Sequence, residues 1–127
     1  MTSVDSQSYI ANCLVPSKKF LHKGKILQQD GARCHHSAET SKFFEENGIK
    51  TLQDWPPYSP DLNPIETLWA ILAKRVSDMG PRSEEKLIQF TKEVWDEIPQ
   101  RLINRLSLSF RIRLLKVKSK GGDTIKP

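Results

Sequence analysis

The run ILQQDGARCHHSAETSKFFEENGIKTL, residues 26–52, decides the fold class. Ile26-Leu27-Gln28-Gln29-Asp30 reads as a short strand that ends in a carboxylate. Ser37 offers an N-cap to a helix carrying Phe43, Phe44 and Asn47, and Gly48 is placed to close that helix with positive φ. Ile49 to Leu52 read as a second short strand. Strand, helix and strand in that order form the unit of a parallel α/β sheet, joined by a right-handed crossover.

Upstream, Asp5 or Ser6 can cap a helix over residues 5–14, with Tyr9, Ile10, Cys13 and Leu14 on its apolar side and Pro16 limiting it. A basic loop with Lys18, Lys19, Lys23 and Lys25 follows. Downstream, WPPYSPDLNP at 55–64 places four prolines in ten residues, which forbids helix interior or central strand and predicts a stiff loop. A helix is expected from Pro64 to about Ser77, burying Leu68, Trp69, Leu72, Ala73 and Val76. Gly80-Pro81 stops it, and Ser83 caps the next helix, whose Glu84 and Glu85 suit its N-terminal dipole. Pro99 opens the last helix, in which Leu102, Leu106, Phe110 and Leu114 recur every four residues. Gly121-Gly122 ends that helix. The expected layout of residues 1–127 is therefore a core at 5–117, a basic C-terminal helix at 99–118 and a frayed tail at 119–127.

The net charge of +5 is unevenly spread. Residues 1–100 hold 12 Lys+Arg against 14 Asp+Glu, a net of −2; residues 101–127 hold 8 against 1, a net of +7. A basic end on a near-neutral body suits a polyanion, and Arg105, Arg111, Arg113, Lys116, Lys118 and Lys120 are the candidate nucleic-acid-binding residues. A solvated basic face without a ligand is the bland alternative. Met1 to Asp5 carry no secretory pattern, and the apolar runs are too short to cross a bilayer. Cys13 and Cys34 are too few for a disulfide scaffold and fit a reducing compartment.

Two carboxylates invite chemistry. Asp30, at the C-terminal end of a parallel strand, would point into the crevice where α/β proteins place ligands; the Asp30-Gly31 pair is equally what a plain turn uses. Glu66, in the first turn of the Pro64 helix, could project as a metal ligand from a rigid start. It could equally close a capping box with Asn63. His35 and His36, with Cys34 beside them, make a poor zinc set, because adjacent residues rarely converge on one tetrahedral ion. No glycine-rich phosphate loop and no Ser/His/Asp nucleophile pattern is present.

Three stretches together carry a resemblance. QQDGARCH at 28–35 resembles the segment around the second catalytic aspartate of mariner-superfamily (Tc-type) DDE transposases. WPPYSPDLNPIE at 55–66, followed by Trp69, resembles that family's glutamate motif, and 35 residues separate Asp30 from Glu66. LSFR at 108–111 through GGDT at 121–124 resembles the family's C-terminal helix and its ending. The resemblance covers essentially residues 5–126 and implies an α/β, ribonuclease H-like (retroviral integrase-like) fold. It also implies a carboxylate triad holding two Mg²⁺ or Mn²⁺ ions, with Asp30 and Glu66 as catalytic and metal-binding residues and His35 positioning a ligand or a phosphate.

The family's first aspartate lies on an early strand, and the residues before Asp30 do not read as the hairpin-linked strands that carry it. The segment is thus expected to be truncated at the N-terminal side of the fold, with two ligands where strand cleavage and transfer use three, and to do little strand transfer alone. DNA is the expected partner and paired subunits the expected assembly, with no membrane and no small-molecule substrate. The nucleus is the expected location, Lys116-Val117-Lys118-Ser119-Lys120 being a weak import signal at most. Two other readings stand beside this one: a non-catalytic nucleic-acid-binding module built on the basic helix, and a plain interaction domain in which Asp30 and Glu66 are only turn and cap residues.

Overall fold

The computed structural model describes residues 4–21 and 24–125, so Lys23 of the basic loop and Lys126 lie outside the described residues. The chain divides into two compact units, Met1–Tyr58 and Ser59–Pro127.

The first unit opens with α1, Ser6–Tyr9, capped by the Asp5 carboxylate, which accepts from Ser8 N–H at 2.7 Å. Helical turns then continue where Pro16 was expected to stop them. A wide π turn, Ile10–Leu14, leads into α2, Val15–Ser17, and a 3₁₀ turn, Lys18–Phe20. In an α-helix the Pro16 ring would press on the carbonyl four residues back. Here Val15 N–H bonds five residues back, to Ile10 O, and the widened turn relieves that clash.

Strand β1 is Ile26–Leu27, α3 is Ala38–Glu46 and β2 is Lys50–Thr51. β1 and β2 pair in parallel, Ile26 with Lys50 and Leu27 with Thr51. The strand–helix–strand order is as read, but both strands are shorter than expected. Gln28, Gln29 and Asp30 leave the ladder, so Asp30 stands three residues beyond the strand rather than at its tip. Ser37 caps α3, its side chain accepting from Thr40 N–H, and Gly48 closes the helix at φ +61°. Leu14, Phe44 and Ile49 form the buried core, with Tyr9, Ile10, Leu21, Leu27 and Phe43 packed against it. The expected α/β, ribonuclease H-like fold is met in part: among the described residues the sheet has two strands, and helix dominates.

The second unit is a three-helix assembly of α4 (Pro64–Asp78), α5 (Glu84–Glu97) and α6 (Gln100–Ser119). Gly80 at φ +61° turns the chain between α4 and α5, and Ser83 caps α5. The core is Leu68, Leu72, Val76, Val94 and Ile98, with Ile65, Phe90, Leu102, Ile103 and Leu106 against it. Two expected core residues are outside it. Ala73 is exposed, and Trp69 is 45% exposed, its ring 5.8 Å from that of Trp95. Leu114, too, is exposed, because a strict four-residue recurrence drifts by about 40° per step around a helix and carries the later positions out of the interface.

Residues 120–125 continue beyond α6. Gly121 and Gly122 take φ of +66° and +97°, and Gly122 N–H donates to Val117 O at 3.0 Å, stopping α6. The chain then returns to the loop before α4: Ile125 is 8% exposed, and its N–H donates to Asp61 Oδ2 at 2.9 Å.

Candidate functional site

Asp30 sits in a small polar cluster of the first unit. Its Oδ1 accepts from Ala32 N–H at 3.0 Å, closing a local turn; His35 Nδ1–H, which donates to the Asp30 carbonyl at 3.3 Å, lies 2.7 Å from the same Oδ1. A carboxylate only accepts, so this contact places the His35 proton on Nδ1. His35 is itself held from two sides. The Tyr9 ring lies 4.5 Å from it, and Gln29 Nε2–H donates to its backbone oxygen at 3.1 Å. Tyr9 O–H donates to Gln29 Oε1 at 2.9 Å, which joins the three residues into one network. His36 Nε2–H donates to the Asp30 carbonyl at 2.9 Å. The cluster thus fixes one oxygen of Asp30 while the side chain stays 60% exposed. The plain-turn reading of Asp30 explains the Ala32 bond and leaves the close approach of His35 to the carboxylate unexplained. An open depression beside Asp30 is also lined by Gln53 and Asp54. Asp54 was not singled out from the sequence. Its one local signal, a left-handed φ of +58°, becomes visible only in the structure.

Burial, and after it the negative charges of Cys13, Cys34 and Asp30, push the Tyr9 phenol from 10.0 up to about 12. The neutral phenol is therefore the form the fold favours. Its contribution to stability is whole below pH 10 and is lost as pH rises from there to about 12. Urea titrations stepped through that interval should show falling stability, with a shallower fall in Tyr9→Phe. An equal slope in the two proteins would remove Tyr9 as the cause.

Glu66 stands in the second unit, at the start of α4. Turns bring the proline-rich loop to it, with Leu62 N–H on Ser59 O at 3.2 Å and Asn63 N–H on Pro60 O at 3.1 Å. Leu62, 5% exposed, anchors the loop, and Asn63 Oδ1 caps the helix by accepting from Ile65 N–H at 3.2 Å. Pro64 fills the first helical position, where no N–H is needed. The reciprocal half of a capping box is absent, because the Asn63 N–H it would use is bonded to Pro60. Among the described residues no hydrogen bond or ion pair occupies the Glu66 carboxylate, which is exposed. Hard oxygen donors of this kind suit Mg²⁺ or Mn²⁺. Among the described residues, no three His, Cys, Asp or Glu gather as a metal-binding group.

On α6 and just beyond it, Arg105, Arg111, Lys116, Lys118 and Lys120 are exposed. The same helix exposes Leu108, Ile112 and Leu115. Arg113 differs: it is half-buried, and its guanidinium donates to Asp61 O and Thr67 Oγ1, each at 2.8 Å. No helix among the described residues is long and apolar enough to cross a membrane.

The family described as DDE superfamily endonuclease matches residues 2–88, a span that includes both Asp30 and Glu66. The chain belongs to the DDE endonuclease superfamily. Within it, the chain is of the Tc1/mariner type. It is 35% identical to the Tc3 transposase of Caenorhabditis elegans over 130 residues, covering 98% of this chain and 39% of that protein. To the Tc1 transposase of the same organism it is 32% identical, covering 82% of this chain and 38% of that one. The Tcb1 transposase of Caenorhabditis briggsae matches at 30% over 82% of the chain and 38% of its own length. This DDE-family chain therefore spans about two fifths of the curated relatives it matches.

Proposed function

We propose that these residues are the part of a transposase catalytic domain that contributes two metal-binding carboxylates, Asp30 and Glu66, to DNA strand cleavage and transfer. The observation that carries this reading is the bonding of the two side chains. One oxygen of Asp30 is fixed by His35 and Ala32 on an otherwise exposed carboxylate, and Glu66 is presented by a capped, proline-started helix without serving as its cap. A carboxylate held in place, as that of Asp30 is, loses less freedom on taking a ligand. The parallel β1–β2 pair with its crossover helix fits a ribonuclease H-like fold, which in this reading the longer protein completes.

Asp30 and Glu66 are each hard oxygen donors of the kind Mg²⁺ or Mn²⁺ takes, and the chemistry of such ions when bound is to activate an attacking oxygen and stabilise a leaving one at a phosphodiester. His35 orients Asp30, the task expected of a group beside a metal ligand. DNA is the substrate in this reading, and the exposed cations Arg105, Arg111, Lys116, Lys118 and Lys120 are suited to its phosphates. A homodimer and a nuclear location follow from the same reading.

Calorimetric titration with Mn²⁺ of the chain, Asp30→Asn and Glu66→Gln tests it. Saturable binding by the unaltered chain is expected, weakened at least about tenfold by either substitution. Absence of binding in a chain that circular dichroism shows to be folded would overturn the metal reading, as would two variants that bind like the parent.

A further inference from the structure

Arg113 reads from the sequence as one more DNA-facing cation, but its bonds give it a different task. The side chain leaves α6 and reaches the start of α4. Nη1–H donates to Asp61 O at 2.8 Å, Nη2–H to Thr67 Oγ1 at 2.8 Å and Nε–H to Ser109 Oγ at 3.1 Å. Asp61 lies in the loop that enters α4, and Thr67 follows Glu66 directly. One planar guanidinium thus ties the incoming loop to the first helical turn, on either side of the Asn63 cap. A lysine, with a single nitrogen at its end, could not span these acceptors in the same fixed fork.

The C-terminal segment tightens the same junction. The Asp61 carboxylate accepts from Ile125 N–H at 2.9 Å, and Leu62 and Ile125 are both buried. Asp61 is therefore held by its carbonyl from α6 and by its carboxylate from the segment beyond Gly122. Neither bond supplies the cap of α4, which Asn63 already provides. Their effect is to fix the angle at which the loop meets the helix, and hence the direction in which the first turn aims its side chains.

We propose that Arg113 is the positioning residue for Glu66, assisted by residues 123–125, and that it is not a phosphate contact. The proposal rests on the reading of Glu66 as a metal-binding carboxylate. Residue-resolved amide hydrogen exchange on the full chain, with Arg113→Lys and Arg113→Met, tests the positioning. Exchange at Ile65, Glu66, Thr67 and Ile125 should quicken about tenfold or more, while Val76 and Val94 in the core keep their rates. Unchanged rates at residues 65–67 would overturn the proposal. So would an even rise across α4 and α5, the mark of a merely structural residue.

Mn²⁺ titration then separates this proposal from the reading beneath it. Arg113→Lys should weaken binding several-fold in the parent and add nothing in a Glu66→Gln background. If Glu66→Gln binds like the parent, the metal reading fails, whatever the exchange rates show. If Glu66→Gln abolishes binding and Arg113→Lys leaves it intact, the metal reading stands and the positioning role falls.

Discussion

Leu68→Ala should lower the stability of the second unit by about 3 kcal/mol and its melting midpoint by roughly 15 °C. Leu68 is 4% exposed and packs among Leu72, Val76, Val94 and Ile98, the main buried cluster of that unit. With so few fully buried side chains, removing one deletes a large share of the apolar burial, and the backbones of three packed helices cannot close over the cavity. Leu87→Ala is the control. Leu87 is 47% exposed, so its truncation should cost less than about 1 kcal/mol. Urea unfolding followed by tryptophan fluorescence reads both, since Trp69 and Trp95 lie in this unit with their rings 5.8 Å apart. A loss below about 1 kcal/mol for Leu68→Ala would mean that Leu68 does not sit in the core of this unit.

Thr40→Val in the first unit should cost about 2 kcal/mol through hydrogen bonding alone. Thr40 is 0% exposed; its Oγ1–H donates to Cys34 O at 2.6 Å and its Oγ1 accepts from Ser37 Oγ–H at 3.1 Å. Valine keeps the shape, so no cavity opens. It leaves the Cys34 carbonyl without that donor in a part-buried place, which is the expensive half of breaking such a bond. Thr40→Ser should recover most of the loss, because the hydroxyl returns and only a methyl is missing. The effect should also reach the site. Cys34 immediately precedes His35, so the turn that aims His35 at Asp30 loses an anchor, and the His35 ring resonances should broaden in Thr40→Val. Equal stability of Thr40→Val and the parent would show that this bond contributes nothing net.

These two residues illustrate how unevenly the sequence can be read. Leu68 was legible, because apolar recurrence at three and four residues is a local property of a helix. Thr40 was not, since a threonine inside a polar stretch gives no sign that its hydroxyl will be sealed against a carbonyl six residues back. Among the candidate site residues, Asp30 and Glu66 were singled out by motif and spacing. The surroundings of each carboxylate came from elsewhere: Tyr9 and Gln29, distant in sequence, hold His35, and Pro60 takes the N–H that would have engaged Glu66 as a cap. Arg113 shows the same limit, because composition counts its charge and is silent on where its fork lands.

The sequence by itself determined the family, the strand–helix–strand order, the caps at Ser37, Asn63 and Ser83, and the glycine stops at Gly48 and Gly121-Gly122. Each is set by neighbours within a few residues or by a motif long enough to be distinctive. Only the tertiary structure decided that helical turns pass through Pro16, that Trp69 lies at the surface, that Ile125 returns to Asp61 and that Arg113 ties α6 to the Glu66 turn. Those outcomes depend on side chains brought together from 46 to 64 positions apart in the Arg113 and Ile125 bonds, and on the relief of a local clash at Pro16. Local propensity carries no record of such distant partners, so packing and hydrogen bonding in the folded chain settle them.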